Sequence, residues 1–121
     1  MMRHLTGLAA AVLLTLAALL AAMSATPAEA QALGPEGRVY AVETRDGRYT
    51  AQFRRGGRYE DSRGATGFWQ YDGRTLCVIV RPPREREYEI CMTWRDVAVG
   101  QRYESRAWTP NGAPARITRV E

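Results

Sequence analysis

Apolar and polar residues follow two different patterns along this chain. The segment from Leu5 to Met23 is almost wholly apolar, whereas the chain from Arg38 onward consists of short alternating runs separated by turn residues. The breaks are Asp46-Gly47, Gly56-Gly57, Asp72-Gly73, Pro82-Pro83 and Asn111-Gly112. Runs rich in Tyr, Val, Thr, Trp and Ile at this spacing are typical of an antiparallel all-β domain. We predict a meander of seven or eight strands, with at most one short helical turn between Thr93 and Gly100.

The first predicted hairpin turns at Asp46-Gly47. A two-residue turn there sets Val42 opposite Ala51 and Tyr40 opposite Phe53. Facing residues of an antiparallel pair share one side of the sheet. The hairpin therefore has one apolar face, formed by Tyr40, Val42, Tyr49, Ala51 and Phe53.

Two further hairpins share the strand that contains Cys77. A turn at Asp72-Gly73 sets Trp69 opposite Leu76, and a direct pairing of Cys77 with Cys91 sets Val78 opposite Ile90. Both place the same side chains on the core face: Trp69, Leu76, Val78, Val80, Tyr88, Ile90, Met92 and Trp94. The less apolar face then carries both cysteines, whose separation as a cross-strand pair suits a disulfide.

The last third of the chain shows no such agreement. Gln101–Trp108 and Ala115–Val120 are predicted strands, but no register places their apolar residues on one face. Without a helix to cover a flat sheet, the whole meander buries its apolar face best by curling into a small barrel or a strongly bent sheet.

The N-terminal apolar segment has the layout of a secretory signal peptide. It follows a short start containing Arg3, and small residues ending in Ala28-Glu29-Ala30 come after it. This order is typical of a cleaved leader. Its apolar length approaches that of a membrane span, but no basic cluster follows Met23. We predict a signal peptide over residues 1–30, a flexible segment over 31–37 and one β domain over 38–121, with cleavage after Ala32 as an open alternative.

Export determines how the two cysteines are interpreted. Cys77 and Cys91 are the only cysteines of the chain. In a cytosolic protein they would suggest metal binding or redox chemistry, but in the bacterial periplasm or outside the cell they predict a structural disulfide. A domain this small gains much from such a link.

The charged residues allow binding but suggest no catalysis. All seventeen basic residues are arginine, the net charge is +4, and the only histidine is His4, in the predicted signal peptide. The mature chain thus lacks the usual catalytic base and zinc ligand. Its acids, Glu60-Asp61 and Glu85, Glu87 and Glu89, alternate with arginines as in solvated loops, unlike the carboxylate pair of a glycosidase. We predict no enzyme activity, metal or cofactor.

The candidate binding patch is rich in arginine. Arg54, Arg55 and Arg58 surround two glycines at a predicted hairpin tip, and arginine forks suit carboxylates and phosphates. The alternative is an ordinary soluble turn in a chain that uses arginine in place of lysine. Trp108 is added to the patch as the one tryptophan predicted to be exposed at an interface, with capping of a barrel mouth as its alternative.

One family resemblance rests on the order Gly67-Phe68-Trp69, Asp72-Gly73, Leu76-Cys77, Cys91 and Val99-Gly100. In this respect Gly47–Tyr103 resembles a class of small exported proteobacterial proteins known as domains of unknown function. The resemblance implies a periplasmic β domain and implies no activity.

A second, weaker resemblance is to the small β-barrel protease and lysozyme inhibitors of the bacterial periplasm. These share the size, the export, the single disulfide and the Gly-x-Trp strand. In the metalloprotease inhibitors a free N-terminal segment enters the enzyme's cleft, which implies the same role for Gln31–Pro35.

Together these observations predict an exported, non-enzymatic binding or envelope-associated module. Its modest positive charge suits anionic glycans, lipid headgroups or acidic proteins, while export argues against nucleic acid as the partner. The alternative function is inhibition of a periplasmic protease or lysozyme.

Overall fold

The structure is a computed structural model that describes residues 34–121. Within this range the chain forms eight strands and no helix: β1 (Val39–Thr44), β2 (Gly47–Arg54), β3 (Arg58–Asp61), β4 (Thr66–Tyr71), β5 (Thr75–Arg81), β6 (Tyr88–Thr93), β7 (Arg102–Ser105) and β8 (Ala115–Arg119). The predicted all-β class and strand number are confirmed. The short helical turn that the sequence allowed between Thr93 and Gly100 does not form. The predicted signal peptide and residues 31–33 lie outside the described residues. Within residues 34–121 no helix is long and apolar enough to cross a membrane.

The strands form one antiparallel sheet in the order β6-β5-β4-β3-β2-β1-β8-β7. Sequence neighbours pair along most of it, and the only long-range pairing joins β1 to β8, where Val42 lies opposite Ile117. The sheet curls into a half-barrel that stays open, with β6 and β7 at its two edges. Of the two predicted shapes, the bent sheet is therefore the one observed.

The inner face of the half-barrel holds the core. Alternate residues of the strands point inward, and the chain outside the strands adds Ala65, Val97 and Trp108. The buried hydrophobic side chains are Tyr40, Val42, Tyr49, Ala51, Phe53, Tyr59, Ala65, Leu76, Val78, Val80, Ile90, Met92, Val97, Trp108, Ala115 and Ile117. All the side chains predicted for the core face from β1, β2, β4, β5 and β6 are either in this cluster or packed against it.

The register predicted for β1 and β2 is wrong by two residues. Thr44 pairs with Gly47, so Tyr40 lies opposite Ala51 and not opposite Phe53. The turn residues are Arg45 and Asp46. An Asp-Gly turn of the predicted type would require a positive φ at Asp46, and no non-glycine residue among those described adopts one. A shift of two residues leaves every side chain on its predicted face.

The register of β4 and β5 is also shifted by two residues. Trp69 lies opposite Val78 rather than Leu76, since the two residues at the tip are Gly73 and Arg74. Gly73 carries the positive φ, 96°, at the first tip position, as type II′ turns prefer. The Asp72 side chain accepts hydrogen bonds from the N–H groups of Arg74 and Thr75, at 2.8 and 2.7 Å, which stabilises this choice.

The pairing of β5 with β6 agrees with the prediction. Cys77 lies opposite Cys91 and Val78 opposite Ile90. The two cysteines form a disulfide with a Cα–Cα distance of 4.1 Å. Cys91 is exposed and Cys77 half-buried, so the bond lies on the outer face, away from the aromatic core.

The structure resolves the hairpin that the sequence left open. Tyr103 lies opposite Ile117 and Ser105 opposite Ala115, with Ile117 and Ala115 buried. β7 ends at Ser105, three residues before the predicted end. Trp108 therefore belongs to the β7–β8 loop, which explains why it fitted no strand register.

The predicted flexible segment is partly packed. Gly34 and Pro35 are buried, and the N–H of Gly37 donates to the carbonyl of Phe53 at 2.7 Å. A Cβ atom at Gly34 would lie 2.5 Å from the ring of Tyr71, so the backbone sits directly against that side chain. Gly34 and Pro35 thus contact the β domain, and the flexibility of residues 31–37 stays a prediction.

An antiparallel meander places its connections alternately at two ends of the sheet. The links that follow β1, β3, β5 and β7 lie at one end, which we call the pocket end. The links that follow β2, β4 and β6 lie at the other, which we call the groove end. The predicted arginine patch is at the groove end, and a second cluster described below is at the pocket end.

Candidate functional sites at the two ends of the sheet

The predicted arginine patch forms one shallow groove. Arg54 and Arg58 are directly paired residues of β2 and β3, and Arg55 lies in the tight turn between them. All three line a groove of about 440 Å³ together with Arg38 and Gln52. The structure thus brings together the three arginines that the sequence selected.

The positive charge of this groove is partly balanced. Glu60 pairs with Arg54 at 3.0 Å and with Arg58 at 3.7 Å. Arg38 is mostly buried and pairs with Asp96, so its charge is also matched. Among residues 34–121 Arg55 has no carboxylate within ion-pair distance, which leaves it as the least neutralised cation of the groove.

Trp108 does not belong to this patch. Its side chain is only 2% exposed and packs against Tyr40 and Phe53, with ring centroids 5.7 and 6.0 Å away. The prediction that Trp108 is exposed is therefore wrong. The β7–β8 loop turns the indole into the half-barrel, where it covers the aromatic core, as the capping alternative described.

A more ordered cluster lies at the pocket end, around Asp61. This carboxylate is fully buried at the end of β3. Its Oδ1 atom accepts from the N–H groups of Arg63 and Ala65, at 2.9 and 3.3 Å. Its Oδ2 atom accepts from the Tyr59 hydroxyl at 2.8 Å and from Arg63 Nη2 at 2.7 Å. A buried carboxylate with this many donors is held in one orientation.

Asp61 in turn fixes the side chain of Arg63. The guanidinium lies over the ring of Tyr49, 3.7 Å from its centroid, and Nη2 also donates to the Tyr88 hydroxyl at 3.2 Å. Burial lowers the pKa of Arg63, but the bonds to Asp61 and Tyr88 outweigh this and raise it above its usual value. Arg63 is thus a permanent, oriented cation.

Arg63 lines a pocket of about 580 Å³, which we call the end pocket. Its walls come from the β1–β2 turn, the β3–β4 turn, the β5–β6 loop and the β7–β8 loop. The walls include Arg48, Tyr49, Arg63, Tyr88, Trp108 and Asn111, with Asp46 and Glu85 as the acidic members. Ligand sites in proteins commonly have volumes of roughly 300–1,000 Å³.

Sequence reasoning missed this cluster because it assigned Asp61 and Arg63 to a solvated mixed-charge loop. That assignment is wrong for Asp61, because the whole residue is only 8% exposed and its side chain is fully buried. Alternation along the strand could have revealed the burial of Asp61. Tyr59 and Asp61 are two residues apart in β3 and must share a face, and Tyr59 belongs to the core. A carboxylate on a core face requires partners.

Alkaline pH tests the burial of Tyr49. Burial raises the pKa of Tyr49 from 10.0 to about 12. The folded state thus holds this proton more tightly than the unfolded state, so stability is unaffected below pH 10 and falls as pH rises from 10 to 12. Deprotonation of Tyr49 in the unfolded chain should lower the free energy of unfolding by up to about 1.4 kcal/mol per pH unit in this range.

Tyr49→Phe separates this group from the other buried tyrosines. The variant keeps the ring under Arg63 and has no phenolic proton, so urea unfolding should show a shallower alkaline decline than in wild type. At neutral pH the two proteins should agree within about 1 kcal/mol, because the Tyr49 hydroxyl has no hydrogen-bond partner among residues 34–121. An identical alkaline decline in both would contradict the assigned burial.

The described part of the chain offers little for other chemistry. Within residues 34–121 no group of three or more His, Cys, Asp or Glu side chains is arranged to hold a metal ion, and both cysteines are in the disulfide. The two ends of the sheet instead offer guanidinium groups, which suit recognition of anions.

Comparison with family models, curated proteins and solved structures finds no match to this chain. The site residues are therefore assigned from geometry and chemistry.

Proposed function

We propose that this protein is an exported, non-enzymatic binding module that attaches to an anionic component of the cell envelope through its groove end. The observation that carries the proposal is the convergence of Arg54, Arg55 and Arg58 on one groove. The predicted signal peptide would deliver the module to the envelope, and the disulfide suits an oxidising compartment.

The groove is suited to an extended polyanion more than to a small ligand. It is shallow, and the side chains of Arg54 and Arg58 are 54% and 67% exposed. Exposed arginines gain by meeting many negative charges at once, as on an anionic lipid surface. Glu60 weakens this attraction without cancelling it, since this one carboxylate is shared by Arg54 and Arg58 and does not pair with Arg55.

Inhibition of a protease or lysozyme remains the alternative proposal, but the described N-terminal residues do not favour its insertion mechanism. A segment that enters an enzyme's cleft has to leave the surface of its own domain. Gly34 and Pro35 are instead buried, and Gly34 lies against Tyr71.

Replacing the three groove arginines tests the proposal. We expect the variant with Arg54→Ser, Arg55→Ser and Arg58→Ser to bind vesicles containing phosphatidylglycerol roughly 10- to 100-fold more weakly than wild type, at about 1 kcal/mol per arginine less the effect of Glu60. Vesicle co-sedimentation at low and physiological salt measures the change.

A charge-matched control distinguishes the groove from net charge. Arg45→Ser, Arg84→Ser and Arg86→Ser together remove the same charge from exposed positions at the pocket end. If binding depends only on net charge, both triple variants lose it equally, and the groove has no special role. Unchanged binding by the groove variant would refute the proposal.

A further inference from the structure

We infer that the end pocket is a second binding site, which takes a small hydroxylated monocarboxylate such as a sugar acid, with Arg63 as the carboxylate ligand. This goes beyond the proposed function, because the ligand is a small molecule and the site lies at the opposite end of the sheet from the arginine groove.

The inference begins with the donors of Arg63. Only Nη2 is used internally, by Asp61 and Tyr88, and within residues 34–121 Nε and Nη1 have no acceptor. Because Nη2 belongs to both bidentate edges of the guanidinium, the free donors Nε and Nη1 lie on different edges, and each offers one charge-assisted hydrogen bond. Arg63 is therefore suited to hold a carboxylate oxygen through a single charged hydrogen bond.

The guanidinium is already in place before any ligand binds. Asp61 is fully buried and accepts a hydrogen bond from Arg63 Nη2. The flat face of the guanidinium packs on the Tyr49 ring, with its Cζ atom 3.7 Å from the ring centroid. A mobile arginine loses side-chain entropy when it binds, and a fixed one has lost it on folding. This separates Arg63 from the exposed arginines of the groove, none of which is hydrogen-bonded to a buried side chain among the described residues.

The rest of the pocket indicates what kind of carboxylate fits. Asp46 and Glu85 line it beside Arg48 and Arg63, and Arg48 pairs with Glu43 at 3.3 Å. The pocket therefore has no large excess of positive charge, and a phosphate or polyanion would meet two carboxylates. A ligand with one negative charge and several hydroxyl groups instead donates hydrogen bonds to those same carboxylates.

Aromatic and amide groups complete the match to a sugar ring. Tyr88 lines the pocket and is only half-buried, so its ring provides flat apolar surface with little loss of entropy. Asn111 also lines it; its Oδ1 accepts from the N–H of Ala113 at 3.0 Å, which orients the amide. A fixed cation, a flat aromatic ring and oriented hydrogen-bonding groups in one pocket are the features that a sugar acid requires.

Titration of the wild-type protein with D-glucuronate, glucose and inorganic phosphate tests the inference. We expect glucuronate to shift amide NMR signals of the β1–β2 turn, the β3–β4 turn and the β7–β8 loop in a saturable way. Glucose, which lacks the carboxylate, should bind at least roughly tenfold more weakly. Phosphate should also bind more weakly. Absence of saturable glucuronate binding at millimolar concentration, equal binding of glucose, or tighter binding of phosphate would each overturn the inference.

Substitutions then assign the binding to Arg63. Arg63→Met should weaken glucuronate binding by roughly 10- to 100-fold. Arg63→Lys keeps the charge but loses the planar guanidinium that lies on Tyr49 and bonds Asp61, so it should recover only part of the affinity. Arg74→Met, in the β4–β5 turn at the groove end, is the matched control and should bind as wild type. Equal affinity of Arg63→Met and Arg74→Met would overturn the role of Arg63.

Asn111→Asp covers the case in which Arg63→Met fails to fold. An aspartate keeps the acceptor for Ala113 and adds a negative charge to the pocket wall, so we expect a folded protein with several-fold weaker glucuronate binding. Unchanged affinity would place the ligand elsewhere. The groove variant with Arg54, Arg55 and Arg58 changed to Ser should keep full glucuronate binding, so this inference and the proposed function can fail separately.

Discussion

Phe53→Ala should lower the free energy of unfolding by roughly 3–5 kcal/mol, the largest effect we expect from one substitution in this domain. Phe53 is 1% exposed and lies at the centre of the inner face. Its ring centroid is 5.6–6.5 Å from those of five other aromatic side chains: Tyr40, Tyr59, Trp69, Trp94 and Trp108. Removing it leaves a cavity that rigid rings on several strands cannot close.

The other phenylalanine of the chain is the matched control. Phe68 is 49% exposed on the outer face, with the Arg81 guanidinium 5.3 Å from its ring centroid. Phe68→Ala should lower the free energy of unfolding by less than about 1 kcal/mol. Urea unfolding of both variants measures the difference. Similar losses would mean that the aromatic cluster is not the main source of stability.

Cys77→Ala together with Cys91→Ala should lower the free energy of unfolding by about 3 kcal/mol. The bond links residues 14 apart in the sequence, and closing a loop of this size restricts the unfolded chain by about that amount. Small domains have total stabilities of about 5–15 kcal/mol, so the loss is a large share. Because the bond lies on the outer face, we expect the variant to keep the native fold.

The control for the disulfide is a neighbouring cross-strand pair. Thr75 lies opposite Thr93 on the same two strands and the same face as the cysteines. Changing both threonines to alanine removes side-chain contacts without removing a covalent link. It should lower the free energy of unfolding by less than about 1 kcal/mol. Chemical reduction of the wild-type protein should reproduce the loss seen in the cysteine variant. Equal losses in the two double variants would show that the covalent link adds nothing.

Much of the fold could be predicted because alternation along a strand is a local property. Side chains two residues apart share a face, so Val78, Val80 and their neighbours were assigned to the core before any pairing was known. The registers at Asp46-Gly47 and Asp72-Gly73 were wrong by two residues, since hydrogen bonds between the turn backbone and the side chains of Thr44 and Asp72 select the turn residues. Those shifts left the faces intact.

The candidate sites were predicted less completely, for a physical reason. Arg54, Arg55 and Arg58 are close in sequence around one tight turn, so their proximity follows from the hairpin itself. The end pocket brings together four connections that are far apart in the chain. Its central pair, Asp61 and Arg63, resembles any other exposed charged pair until the Tyr59 side of β3 is known to face the core.

By itself, the sequence determined the all-β class, the inner and outer faces of most strands, the partner of each cysteine and the composition of the arginine turn. These depend on alternation and short turns, which involve residues close in the chain. Only the tertiary structure decided that β1 pairs with β8 and that Trp108 closes onto Phe53. It also decided that Asp61 holds Arg63 beside a pocket. Such contacts depend on how far the sheet curls, because its curvature determines which distant loops meet at each end.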